Sequence, residues 1–311
     1  MSHLTGSPHP VGTGGRRFAG RSGGPAGDVW GRLGFGVPGC AHPLVAPAEW
    51  AELTRPGTPL HWVVLNVSNG PGDRPDPHCL AAAGRLRNAG VRVLGHLDLA
   101  RGRRPFAELI SDAQDFLAWY RVDGFLLDRA PGDRAELAPV RRTTEALRGL
   151  LGAGHLVLGH GTHPFPGYAE AADQLVTFSG PWTGYRWSQA PEWTARHPPE
   201  RFAHFVHGVP RTHLEEAIRI ARWQGAGTIF FTDRTDRTDR TDRTDRTDRV
   251  APVDRAGRSG RGRRGGERAG HGEHTAGKSA RSPQRAQLRP YESLPGHWDE
   301  IVSQIGPGVS E

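Results

Sequence analysis

The sequence predicts a single-domain (β/α)8 TIM barrel, and three observations support this fold class. Eight short apolar runs lie between Arg32 and Asp233, and several are continuous stretches of Val, Leu, Ile and Phe. Such runs are typical of strands buried on both faces of a parallel sheet. Segments with helical periodicity separate the runs. Eight alternating strands and helices are the number that a closed barrel requires.

The predicted elements follow one another regularly along the chain. The strands are Leu33–Val37, Trp62–Val67, Val91–Leu97, Gly124–Leu127, Leu156–Gly159, Leu175–Phe178, Phe202–Val206 and Thr228–Phe231. The helices cover about residues 47–54, 76–89, 104–120, 134–151, 166–173, 191–196, 211–224 and 297–305. The third helix shows the apolar stripe of an amphipathic helix, formed by Phe106, Leu109, Ile110, Ala113, Phe116, Leu117 and Tyr120.

A doubly wound open sheet is the alternative fold, and the first apolar run argues against it. That fold usually has fewer strands and a glycine fingerprint after the first one. The segment Gly34-Phe35-Gly36-Val37-Pro38-Gly39 lacks the Gly-x-Gly-x-x-Gly spacing and places Pro38 where a helix would begin. The sequence therefore predicts no dinucleotide site here.

Two segments have the composition of disordered chain. Residues 1–28 are rich in Gly, Ser, Pro and Arg, and the triplet Thr-Asp-Arg occurs six times in succession from Thr232 to Arg249. A period of three without apolar residues cannot bury a face. We therefore predict disorder over 1–28, one barrel formed by 29–233 and 290–306, and a low-complexity insertion over 234–289 after the eighth strand.

Charge and cysteine content exclude several classes of protein. The net charge is +7, but residues 251–290 alone hold ten basic and three acidic side chains. A folded nucleic-acid-binding face is therefore disfavoured, although the basic insertion can contact polyanions weakly. Cys40 and Cys79 form neither a disulfide framework nor a local metal-binding spacing. No secretory signal or membrane span is recognisable, so we expect a cytoplasmic protein of undetermined oligomeric state.

The candidate site residues are the polar and aromatic side chains that follow the predicted strands, where barrel active sites lie. As catalytic candidates we take Asp128, Asp98 and Asp233. As candidates for binding a carbohydrate or another small polar ligand we take Asn66, Asn69, His96, Arg129, His160, Trp182, Tyr185 and His207.

Asp128 is the strongest single candidate because it directly follows the apolar run Gly124–Leu127. A carboxylate at that position requires a partner. If Arg129 pairs with it, Asp128 stays ionised, as suits a nucleophile or an electrostatic stabiliser. Alternatively, Asp128 only caps a loop. Glycoside hydrolysis needs two carboxyl groups, and Asp98 or Asp233 is the natural second member.

The remaining candidates have two interpretations each. His96, His160 and His207 are either sugar hydrogen-bond donors or metal ligands, but nothing in their spacing demands an ion. No metal and no cofactor is therefore predicted. The aromatic residues that begin with Trp182 and Tyr185 either stack on sugars or pack over the barrel as a lid.

Four segments resemble the spherulation-specific family 4 (spherulin-like) proteins. They are Leu65-Asn66-Val67-Ser68-Asn69-Gly70-Pro71-Gly72, Val93-Leu94-Gly95-His96-Leu97-Asp98, residues 119–128, and Glu292-Ser293-Leu294-Pro295-Gly296-His297-Trp298. The resemblance covers most of 32–233 and resumes at 291–302. It implies a (β/α)8 barrel related to glycoside hydrolases, some fungal members of which cleave galactosamine-containing exopolysaccharide from within the chain.

The resemblance also implies a set of acidic residues that this chain retains only in part. The family pattern has Asp-Glu at the end of the fourth strand and Glu after the sixth. Asp128 matches the Asp, whereas Arg129 and Ser179 stand at the two Glu positions. Three hypotheses follow: a divergent glycoside hydrolase centred on Asp128, a carbohydrate-binding barrel without hydrolysis, or a scaffold whose basic insertion recruits an anionic partner.

Overall fold

Eight parallel strands form a closed barrel in the computed structural model, which describes residues 33–236 and 289–305. The strands pair in sequence order, and β8 closes the barrel against β1. They are β1 Gly34–Val37, β2 Leu60–Leu65, β3 Arg92–Asp98, β4 Gly124–Asp128, β5 His155–Gly159, β6 Gln174–Pro181, β7 Phe202–His207 and β8 Thr228–Phe231. The predicted fold class is confirmed.

Helices surround most of the barrel. They are α1 Pro47–Glu52, α2 Pro77–Asn88, α3 Phe106–Tyr120, α4 Leu137–Leu151, the single turn α5 Trp182–Tyr185, α6 Leu214–Trp223 and α7 Trp298–Ile305. Two predicted helices are wrong in type, because the chain forms 3₁₀ turns at Pro166–Glu170 and Glu192–Arg196. Both segments are far shorter than the length at which an α-helix is stable by itself, and a 3₁₀ turn is a common form for so short a piece.

A buried polar network crosses the barrel interior. Trp62 Nε1 donates to Gln174 Oε1 at 2.9 Å, and Gln174 Nε2 donates to Thr228 Oγ1 at 2.8 Å. Gly36 makes room for the indole, since a Cβ there would lie 2.4 Å from the Trp62 ring. Hydrogen-bonded polar groups cost little to bury, so this network links β2, β6 and β8 without leaving these donors unsatisfied.

The chain returns to the barrel after the segment that the structure does not describe. The Trp298 ring packs 4.8 Å from the Phe35 ring, and the Leu294 amide donates to Glu49 Oε2 at 2.8 Å. These contacts place α7 beside β1 and α1.

The disorder predicted for 1–28 and for nearly all of 234–289 concerns residues outside the described ranges. Within those ranges, no helix is long and apolar enough to cross a bilayer.

Strand β4 tolerates no side chain at its first residue. A Cβ at Gly124 would lie 1.9 Å from the carbonyl oxygen of His155 on β5. Because that oxygen belongs to the backbone of a paired strand, we expect Gly124→Ala to lower the free energy of unfolding by about 3 kcal/mol. Gly149→Ala is the control. Gly149 lies in α4 with no atom near its Cβ position, so alanine there should add about 0.5–1 kcal/mol. Urea unfolding that ranks the two variants in the opposite order would contradict this account.

Candidate active site

Two cavities open at the carboxyl ends of the strands, and Asp128 and Arg129 line both of them. The β4–β7 chamber has a volume of about 310 Å³ and the β1–β4 chamber one of about 260 Å³. The β4–β7 chamber is lined by residues including His160, Ser179, His207, Asp236 and Tyr291. The β1–β4 chamber is lined by residues including His42, Asn66, Asn69, His96, Asp98 and Glu292. The end of β4 is therefore the wall between two adjoining spaces.

Asp128 lies at this wall as the last residue of β4. The strand places it in register with Asp98 on β3. Its Oδ2 is 3.5 Å from Nε2 of the buried His96. Gly159 on β5 lies against its other side, since a Cβ there would be 3.2 Å from Asp128 Oδ1. The carboxylate is held between β3 and β5 and remains partly exposed to both chambers.

Arg129 pairs with Asp98, and the pairing with Asp128 that the sequence left open is not the one that forms. Arg129 Nε donates to Asp98 Oδ1 at 2.8 Å, and its terminal nitrogen donates to Oδ2. The Ala100 amide donates to Oδ1 at 2.7 Å. Burial raises the pKa of Asp98. The hydrogen bonds from Arg129 and Ala100 and the Arg129 charge together lower it by more, so the pKa lies below its ordinary value. Asp98 is thus held ionised, which does not suit a general acid.

Backbone strain concentrates around the site. Five described residues other than glycine have positive φ, and four of them are at the barrel mouth, namely Asn69, Ala100, Arg101 and Arg129 at φ 53°, 48°, 57° and 50°. Each such residue costs on the order of 1–3 kcal/mol. Arg101 and Arg129 are tied together, since the Arg101 amide donates to the Arg129 carbonyl at 2.8 Å. Strain that clusters beside a cavity is typical of functional sites.

The three candidate histidines do not converge on one point. His96 faces the β1–β4 chamber, whereas His160 and His207 line the β4–β7 chamber. Burial lowers the pKa of His160 to about 4, so its ring is neutral at physiological pH. Its ring packs 4.8 Å from that of Tyr168. Among residues 33–236 and 289–305, none of the three belongs to a group of three potential metal ligands.

Asp233 lies outside the lining of both chambers. It is exposed, and its Oδ1 accepts a hydrogen bond from the Gly296 amide at 3.1 Å. It therefore anchors the returning chain. Asp236, three residues later, lines the β4–β7 chamber instead. Asp236 was not recognisable from the sequence because it belongs to the Thr-Asp-Arg repeat, in which each triplet carries an identical aspartate.

The aromatic candidates after β6 pack against other side chains of the protein. Tyr185 is fully buried with its hydroxyl 2.9 Å from His204 Nδ1, and Trp182 packs 5.7 Å from the His213 ring. Neither lines a chamber. Phe205 lines the β4–β7 chamber, and so does Tyr291, whose hydroxyl donates to the Phe205 carbonyl at 3.2 Å. Tyr291 was missed because it follows the Thr-Asp-Arg repeat and the basic residues in the sequence and comes after no predicted strand.

The Asp98–Arg129 pair predicts acid sensitivity. The pKa of Asp98 is lower in the folded chain than its ordinary value of 3.8. Its contribution to stability is therefore complete above that value and is lost as the pH falls through the lower folded pKa. We expect the urea midpoint to fall below about pH 4. In Arg129→Ala the same decline should be shallower, and an unchanged pH profile would contradict the assignment.

Comparison with known proteins identifies the family. Residues 37–246 match the model of spherulation-specific family 4. The chain belongs to this family. Within it, Spherulin-4 of Physarum polycephalum is 24% identical over 144 residues, which are 46% of this chain and 43% of that protein. The match thus spans less than half the length of this relative.

A solved structure supports the fold of this family 4 chain. It is similar to the crystal structure of Aspergillus clavatus Sph3 in complex with GalNAc, with a TM-score of 0.63 and 21% identity. The match covers 88% of this chain and 97% of that one. The closed barrel is therefore common to both chains.

Proposed function

We propose that this family 4 chain is a carbohydrate-active barrel of the glycoside hydrolase type, with a site centred on Asp128. The observation that carries the proposal is the position of Asp128 between two chambers. A sugar chain that occupies both chambers passes directly over its carboxylate. Family membership supports this ligand class, as does the GalNAc bound in the similar Sph3 structure.

The lining groups suit the recognition of sugar hydroxyls. Asn66, Asn69, His96, His160 and Ser179 offer donors and acceptors at the chamber walls. His160 is neutral, so one ring nitrogen donates and the other accepts. Polar groups at fixed positions in a cavity set the orientation and the specificity of a bound small ligand. These side chains are proposed to orient the sugar rings on either side of Asp128.

Hydrolysis requires a second carboxyl group besides Asp128. Asp98 is engaged by Arg129 and Asp233 is outside the chambers. Asp236 lines the β4–β7 chamber together with Asp128, and we propose it as the partner. In this scheme one carboxyl group protonates the leaving oxygen, and the other stabilises or attacks the anomeric carbon.

A second candidate function is sugar binding without hydrolysis. This function is favoured by the residues at the two positions where the family resemblance implies glutamates, which are Arg129 and Ser179. Arg129 is committed to Asp98, and Ser179 Oγ lies 3.3 Å from the Tyr291 hydroxyl. Neither side chain donates a proton as a carboxylic acid does. A chain of this kind keeps the cleft and holds the polysaccharide without cleaving it.

Incubation with defined polysaccharides tests both candidates. We would measure reducing ends and binding heat for galactosamine-containing polymer, chitosan and a neutral glucan. Release of reducing ends from one polymer supports the hydrolase, and binding without release supports the binding barrel. Neither binding nor release from any carbohydrate would overturn the proposal.

A further inference from the structure

A separate group of polar side chains lies at the edge of the β1–β4 chamber. His42 belongs to the loop between β1 and α1, Asp76 caps the N-terminus of α2, and Cys79 lies in its first turn. One ligand atom from each lies within 4.8 Å of the others. Within the described ranges, this is the only group of three potential metal ligands.

The spacing within the group resembles that of a zinc site. His42 Nε2 is 3.2 Å from Asp76 Oδ2. Two ligands of a tetrahedral Zn²⁺ with bonds of about 2.05 Å lie about 3.3 Å apart. Thiolate, imidazole and carboxylate together form a ligand set that suits zinc, whereas calcium and magnesium prefer oxygen ligands alone. The His42–Asp76 spacing is thus close to the one that zinc would impose, and Cys79 Sγ lies within 4.8 Å of both atoms.

Surrounding groups already hold the Asp76 carboxylate in place. Its Oδ1 accepts hydrogen bonds from the amides of His78 and Cys79 at 2.8 and 2.9 Å, which leaves Oδ2 directed to His42. The Asp76 amide donates to the hydroxyl of the buried Tyr120 at 3.0 Å. Hydrogen bonds that orient a ligand in this way are a regular part of metal sites.

We propose that His42, Asp76 and Cys79 bind one Zn²⁺ ion, with the exposed His78 or a water molecule as the fourth ligand. The His78 ring lies 6.2 Å from that of His42. On binding, Cys79 releases its thiol proton to solvent and ligates as thiolate. The His42 proton moves to Nδ1, which gives up the 3.3 Å hydrogen bond from the Leu44 amide. The ion would join the α1 loop to α2 beside the proposed sugar cleft.

Cobalt substitution provides the test, because Co²⁺ bound to thiolate has a near-ultraviolet charge-transfer absorption. We would titrate Co²⁺ into reduced, chelator-treated full-length protein and then add Zn²⁺. We expect the protein to bind one equivalent of Co²⁺ and to show this absorption. Added Zn²⁺ should displace the Co²⁺ and remove the absorption. Cys79→Ser should abolish the absorption. Cys40→Ser is the matched control, since Cys40 is also buried but lies outside the group.

Two further variants separate a ligand from a structural residue. Asp76→Ser keeps a side chain that caps α2 but removes the carboxylate ligand, and His42→Ala removes the imidazole. Each should weaken Co²⁺ binding at least ~100-fold, more than the loss of a supporting hydrogen bond does, while circular dichroism stays unchanged. Absence of the absorption in the wild type, or binding as tight in Cys79→Ser and His42→Ala, would overturn the site. Neither result bears on the carbohydrate proposal, which Asp128 tests independently.

Discussion

Replacement of Asp128 by asparagine is expected to lower turnover of a cleaved polysaccharide at least ~100-fold, as loss of a group that acts in acid–base or covalent catalysis does. The barrel should remain folded, because asparagine has nearly the same shape and the Asp128 carboxylate is partly exposed. Reducing-end release gives the rate, and thermal unfolding gives the fold. Binding of the same polysaccharide should change far less than turnover.

The chain offers a matched control for this experiment. Asp233 also follows a strand, but it contacts the Gly296 amide and lines neither chamber. Asp233→Asn should therefore leave turnover within about twofold of the wild type, while Asp236→Asn should lower it if Asp236 is the second carboxyl group. Full turnover in Asp128→Asn would contradict the proposed site. If the wild type binds sugar without cleaving it, loss of binding in Asp128→Asn would identify the cleft of a binding barrel.

Arg129→Ala is expected to lower the free energy of unfolding by about 3 kcal/mol. The variant leaves the Asp98 carboxylate buried without its guanidinium partner, and Asp98 is only 7% exposed. An uncompensated buried charge costs far more than the loss of a surface pair. Urea unfolding at pH 7 measures the change, and Asp98→Asn combined with Arg129→Ala should recover part of the loss.

Arg55→Ala is the control for an exposed ion pair. Arg55 contacts Asp299, whose side chain is 83% exposed, so its loss should cost at most about 1 kcal/mol. Equal destabilisation by the two variants would show that the Asp98–Arg129 pair is worth no more than a surface contact. A stable Arg129→Ala variant with new activity would instead indicate that Arg129 blocks the cleft.

The strands were predictable from sequence because a parallel barrel buries both faces of every strand. Both ends of β4, β5, β7 and β8 lie within one residue of the ends of the predicted apolar runs, which are Gly124–Leu127, Leu156–Gly159, Phe202–Val206 and Thr228–Phe231. The helices after β5 and β6 were not predictable in type. Helical periodicity over six to eight residues does not distinguish an α-helix from a 3₁₀ turn.

The grouping of polar side chains at the carboxyl ends of the strands was also predictable from the sequence, since a barrel brings those ends to one face. Asp128, Asn66, Asn69, His96, His160 and His207 all line the chambers there. Trp182 and Tyr185 do not line them. The sequence could not show this, because aromatic composition is the same for a side chain that binds sugar and for one that packs beneath a loop.

The sequence by itself determined the barrel, the family and the strand-end position of Asp128, because apolar runs, motifs and chain order are local properties. Only the tertiary structure decided which groups meet. Arg129 engages Asp98 from the neighbouring strand, Tyr291 lines the β4–β7 chamber from a distant part of the chain, and His42 lies beside Asp76 from 34 residues away. Such pairings depend on strand register and on loop paths. Burial and hydrogen bonding between residues distant in sequence fix both, and no local pattern encodes them.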